Sequence, residues 1–136
     1  MPLINPKKPV HVIRIEVKFF QKQDGGIEIV KDDKELPKDV EAEKESFCFK
    51  PPAWGDVKAV MSSCSVLGKE GAMSFDAYKF LDSRMKRLLV DWTLKDENGG
   101  RLPPTEENID KLPSSVVTYL NEQLENVPSI AGAFGG

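Results

Sequence analysis

Histidine is almost missing from this chain, which holds one, His11, and cysteine is hardly commoner, with Cys48 and Cys64 alone. That scarcity excludes most small-domain chemistry. One histidine and two isolated cysteines cannot supply the four nitrogen and sulfur ligands of a structural zinc site. No spacing pairs His11 with either thiol as a nucleophile and base, so His11 reads as a strand-edge or solvent-exposed residue. A secreted disulfide framework needs more cysteines and a signal peptide, and Met1–Pro9 has neither an apolar h-region nor a cleavage pattern. No apolar run approaches the ~20 residues that span a bilayer. With 19 Lys+Arg against 22 Asp+Glu and a net charge of −3, a counterion-displacing nucleic-acid surface is not expected. Asp24-Gly25-Gly26 and Asn98-Gly99-Gly100 match no phosphate loop, and the oxygen groups of Asp91, Asp96, Glu97 and Asn98 lack the calcium-loop spacing. No catalytic, cofactor-binding or metal residue is therefore assigned, and neither an enzyme, a nucleic-acid binder nor a membrane protein is expected.

What is present is an ordinary globular balance, 40% hydrophobic and 30% charged, in 136 residues, enough for one compact α+β domain. Residues 1–9, with three prolines, read as an extended arm. From Ile13 to Phe19 apolar and charged residues alternate, the period of a half-buried strand. Asp24-Gly25-Gly26 supplies a tight turn into Ile27–Val30, so a β-hairpin is expected over 10–20 and 26–31. Residues 31–45 carry seven acidic residues against four lysines and read as a solvated loop. Ser46–Lys50, stopped by Pro51-Pro52, is a short third strand completing the N-terminal portion, 1–50.

The apolar period then lengthens, predicting a helical region over 51–126 with three to four helices. Trp54, Val57, Met61, Cys64 and Leu67 form the first stripe, with Gly68 placed to end that helix. Ser74 is the expected N-cap of a long helix over 75–93, striped by Phe75, Tyr78, Leu81, Met85, Leu88 and Trp92. Lys79, Arg84, Lys86 and Arg87 give it a basic flank. Asp96–Gly100 makes a sharp turn, Thr105 caps a short helix, and Pro113-Ser114-Ser115 restarts one whose apolar face is Val116, Val117, Leu120 and Leu124. Residues 127–136, rich in Gly and Ala, read as a flexible tail. Aromatic residues are the candidate partner contacts: Phe19, Phe20, Trp54, Tyr78, Trp92 and Tyr119. Consecutive strand residues point to opposite faces, so one of Phe19 and Phe20 must face away from the core. Trp54 and Trp92 lie on predicted apolar helix faces, where core packing is the default.

The C-terminal half resembles the tail assembly chaperones of tailed bacteriophages. The elements that match are Val90-Asp91-Trp92, the acidic-glycine turn Asp96 to Gly100, the capping segment Leu102 to Ile109, and Leu112-Pro113 before a last helix. The resemblance covers residues 46–125 or thereabouts. It implies a non-enzymatic protein acting in the host cytoplasm while the tail is built, whose partners are the tape-measure protein, tail tube protein and a further copy of itself. The charged insert and the tail leave an alternative, a structural virion component of tail, neck or baseplate held by its terminal arms.

Overall fold

The computed structural model describes residues 12–32, 36–68 and 71–134. The expected arm and His11 lie outside them. Among these residues six strands and five α-helices run in the order β1 (Ile13–Gln21), β2 (Ile27–Ile29), β3 (Glu43–Phe49), α1 (Trp54–Cys64), β4 (Ser65–Leu67), β5 (Met73–Phe75), α2 (Ala77–Leu88), β6 (Leu89–Trp92), α3 (Glu106–Asp110), α4 (Ser114–Glu125) and α5 (Pro128–Ala131). The fold is α+β, as the two periods dictate: an antiparallel sheet ordered β2-β1-β3-β6, then a helical C-terminal half.

The β1–β2 turn forms where expected, with Gly25 at φ +88° and Gly26 N–H donating to Asp24 Oδ1 at 2.8 Å. Two features of the sheet depart from the sequence reading. β3 starts at Glu43, inside the charged segment, because β1 is long enough to pair Val17, Lys18 and Phe19 with Glu45, Lys44 and Glu43. The expected long helix stops at Leu88, and Leu89–Trp92 becomes the fourth strand. Pairing with the open edge of β3 overrides helix propensity here: Lys50 N–H donates to Leu88 O at 2.8 Å and Thr93 N–H to Ser46 O at 3.0 Å. Leu89 and Trp92, three apart, could not both face the core on a regular strand. A bulge resolves this, with Phe49 opposite Leu89, Cys48 opposite Asp91 and Val90 left as the extra, exposed residue.

The core lies between one sheet face (Ile15, Val17, Phe47, Phe49, Leu89, Trp92) and Met85, Leu88, Ile109, Val116, Leu120, Leu124 and Ile130 of the helices. Ile130 corrects the reading of a flexible tail. α5 and a following 3-10 turn, Gly132–Phe134, dock on the domain, with the Phe134 ring edge-on to Phe80 at 5.6 Å.

α1 packs on α2 rather than on the sheet. Its buried residues are Asp56, Val57, Val60 and Cys64, a face rotated from the expected stripe. At about 100° per residue, Trp54 lies roughly a quarter-turn from the centre of that face. It is 72% exposed, so the core default fails for Trp54. The helix also ends before Gly68, which sits in a turn where its N–H donates to Ala72 O at 2.6 Å and a Cβ would meet that oxygen at 3.0 Å. Ser74 belongs to β5, and Asp76 caps α2 by accepting from Lys79 N–H at 3.1 Å. Thr105 caps α3 as expected, accepting from Asn108 N–H at 3.2 Å.

Asp56 holds the α1–α2 pair in register. Burial alone would raise its pKa, but the Ala53 N–H (2.9 Å), Arg87 Nε (2.7 Å) and Lys50 Nζ (3.0 Å) together outweigh it and hold the carboxyl below its ordinary value. A lowered folded pKa supplies stability that is complete above the unfolded value near 3.8 and is lost as pH falls through the folded one. Asp56→Asn should therefore cost about 1–3 kcal/mol at neutral pH and flatten the acid limb of the melting temperature against pH. An unchanged acid limb would exclude Asp56 as its source.

Candidate functional site

Three segments that share the core also leave a gap between them. α2 turns Leu81 and Met85 towards α4, α3 brings Ile109, and Leu112 and Val117 close the apolar floor of a groove of ≈ 560 Å³. The floor arises because α4 carries two adjacent apolar residues per turn at its start. Val116 is buried in the core, which leaves Val117 half-exposed and turned to the groove. Tyr78, exposed on the first turn of α2, stands beside the groove.

Carboxylates line the groove: Asp82, Asp110, Glu122 and Glu125. Cations reach three of them from behind. Lys86 Nζ bridges Asp82 (3.1 Å) and Asp110 (2.8 Å), and Arg84 Nη1 donates to Glu125 Oε1 at 2.6 Å. The hydrogen bond to Asp110, reinforced by Asp82 and opposed by burial, raises the Lys86 pKa. Glu122, among the described residues, is paired with the exposed Lys31 at 3.7 Å. Four carboxylates against Lys86, Arg84 and Lys31 leave the groove margin acidic.

Fully buried Arg84 is the support behind this wall. Its guanidinium donates to Asn121 Oδ1 at 3.2 Å as well as to Glu125, and lies 5.0 Å over the Phe80 ring. Asn121 and Glu125 both face the groove, so Arg84 fixes their positions. Sequence reading placed Arg84 on a solvated basic flank. The available signal was its position one residue before Met85 on the buried side of α2.

The six candidate aromatics do not converge. Phe19 packs partly buried against the core, while Phe20, on the opposite sheet face, lies beside Pro37 and Val40. Trp54 projects from the start of α1, and Tyr119 is half-buried near Ile27 and Ile29 of β2. Trp92 is 4% exposed and belongs to the core. Only Tyr78 borders the groove. Among the described residues no three His, Cys, Asp or Glu side chains are grouped to hold a metal ion, and no helix is long and apolar enough to cross a membrane. Comparison with protein-family models, curated proteins and solved structures gives no significant match.

Proposed function

We propose that this chain is a non-enzymatic tail assembly chaperone, acting in the host cytoplasm, whose groove receives an amphipathic helical segment of the tape-measure protein while tail tube protein is recruited to it. The observation that supports this reading is the groove itself: an apolar floor between α2, α3 and α4 with an acidic margin. An apolar-striped helix seated in such a groove buries its i, i+3, i+4 and i+7 positions, and Lys or Arg on its flanks meets the carboxylates. Tape-measure proteins are long and apolar-striped, and need cover until a tube encloses them.

The alternative, a virion component held by its terminal arms, draws less support. Residues 128–134 fold back onto their own domain, with Ile130 buried and Phe134 against Phe80, rather than standing ready for a neighbour.

Overlapping tape-measure segments titrated into the protein test the reading. Exposed Thr118 lines the groove, so Thr118→Arg should weaken binding at least ~10-fold by bulk and charge with an unchanged melting temperature. Binding that ignores Thr118→Arg removes the groove assignment. Stoichiometric recovery of the protein by mass spectrometry of purified virions removes the chaperone assignment.

A further inference from the structure

The β4–β5 hairpin is unlike the rest of the surface. Its two strands, Ser65–Leu67 and Met73–Phe75, carry no charged side chain and no proline, in a chain that is 30% charged; in the sequence between them the charged residues are Lys69 and Glu70. The register Ser65↔Phe75, Val66↔Ser74, Leu67↔Met73 puts Leu67, Met73 and Phe75 on one face. They are 70%, 65% and 55% exposed. Open strand edges are normally guarded by lysine, proline or a covering segment, and a lone two-stranded hairpin is marginal in water.

The hydrogen-bond phase tells which groups are open. Gly68 N–H donates to Ala72 O at 2.6 Å and Asp76 N–H to Cys64 O at 2.8 Å. Alternation makes Val66↔Ser74, between them, the pair that bonds within the hairpin, so the N–H and C=O of Met73 and Phe75 point outward from β5. Among the described residues none outside the hairpin bonds to them.

We propose that β5 pairs antiparallel with β5 of a second copy of this chain about a two-fold axis through Ser74, joining two hairpins into a four-stranded sheet. An isologous contact must complement itself, and an uncharged strand does so without repulsion, whereas the acidic groove margin would repel its own copy. The open groups match this register: Met73 of each copy meets Phe75 of the other in a hydrogen-bonded pair, giving four backbone hydrogen bonds. The same pairing sets methionine sulfur beside an aromatic ring on the apolar face, which continues into Phe80, 5.4 Å from Phe75. Pairing through β4 would instead set Ser65 against Leu67 and leave Met73 and Phe75 uncovered. The contact is small, so the dimer belongs to the transient class, with Kd about 10–100 μM. It uses no groove residue from the floor or margin and stands apart from the proposed function.

Sedimentation velocity across about 5–500 μM should show a monomer passing to a dimer. Met73→Glu, at an exposed position, should raise Kd at least ~100-fold with an unchanged melting temperature. In a Cys48→Ser background, Ser74→Cys should form an intermolecular disulfide under mild oxidation. The two Ser74 residues would be a non-hydrogen-bonded pair with Cα atoms about 4.5 Å apart, within disulfide reach. A monomer at every concentration, or a dimer that Met73→Glu leaves intact, overturns the proposal. A dimer that does not cross-link through Ser74→Cys overturns the register.

Discussion

Trp92→Ala should lower stability by about 3–5 kcal/mol, the cost of truncating a large aromatic in a packed core. Trp92 is 4% exposed and stands edge-on to Phe47, its cross-strand partner, with ring centroids 6.0 Å apart. The indole Nε1–H donates to Leu102 O. That acceptor is delivered by the Asp96–Gly100 turn, where Gly99 at φ +78° lets the chain reverse and Leu102 N–H return to Leu94 O at 3.1 Å. Trp92→Phe, which keeps most of the ring but not the donor, should cost about 1–2 kcal/mol for the carbonyl left without it. Chemical denaturation of both variants checks the ladder. A Trp92→Ala protein that melts like the parent yet loses its partner would place Trp92 at an interface instead.

Glu125→Ala should destabilise the domain more than Arg84→Met, although Glu125 is half-exposed and Arg84 is wholly buried. Removing Glu125 leaves a buried guanidinium with only Asn121 Oδ1 and the Phe80 ring, and its Nε has no hydrogen-bond partner even now. Breaking a buried pair from the carboxylate side costs about 3–5 kcal/mol, and solvent reaching the site reduces this to about 2–3. Arg84→Met keeps the volume and removes the charge, so its cost should stay near about 1 kcal/mol, chiefly from Asn121. With the charge already gone, adding Glu125→Ala to Arg84→Met should change little. Equal and additive losses in that double-mutant cycle would mean that the pair is not coupled.

The two predictions rest on residues that the sequence exposed to different degrees. Burial of Trp92 was legible because leucine and tryptophan positions converge just before a chain reversal. Its element was not, because Leu89 and Trp92 share a helical face and also suit a strand, provided one residue bulges. Only the unpaired edge of β3 decides between them. The β1–β2 hairpin was plain, since alternation and Asp-Gly-Gly are local signals. β4 and β5 were hidden: three-residue strands carry too little pattern, and Gly68 fits a helix terminus as well as a turn. Residues 128–134 look featureless until a pocket exists for Ile130 and a ring for Phe134. The groove is a gap between three helices, and no single segment encodes a gap. Its apolar floor could still be suspected from Val116-Val117, two branched residues of which a single stripe uses one.

The strand order has a consequence for how the chain is made. β6 completes the sheet beside β3, yet Leu89 follows Phe49 by forty residues, with α1, the β4–β5 hairpin and α2 between them. At synthesis rates of about 5–20 residues per second, Phe47 and Phe49 leave the ribosome several seconds before Trp92 and Leu89 can cover them. The nascent protein therefore passes through an interval with an apolar strand edge open, which makes slow translation between residues 50 and 88 a period of aggregation risk.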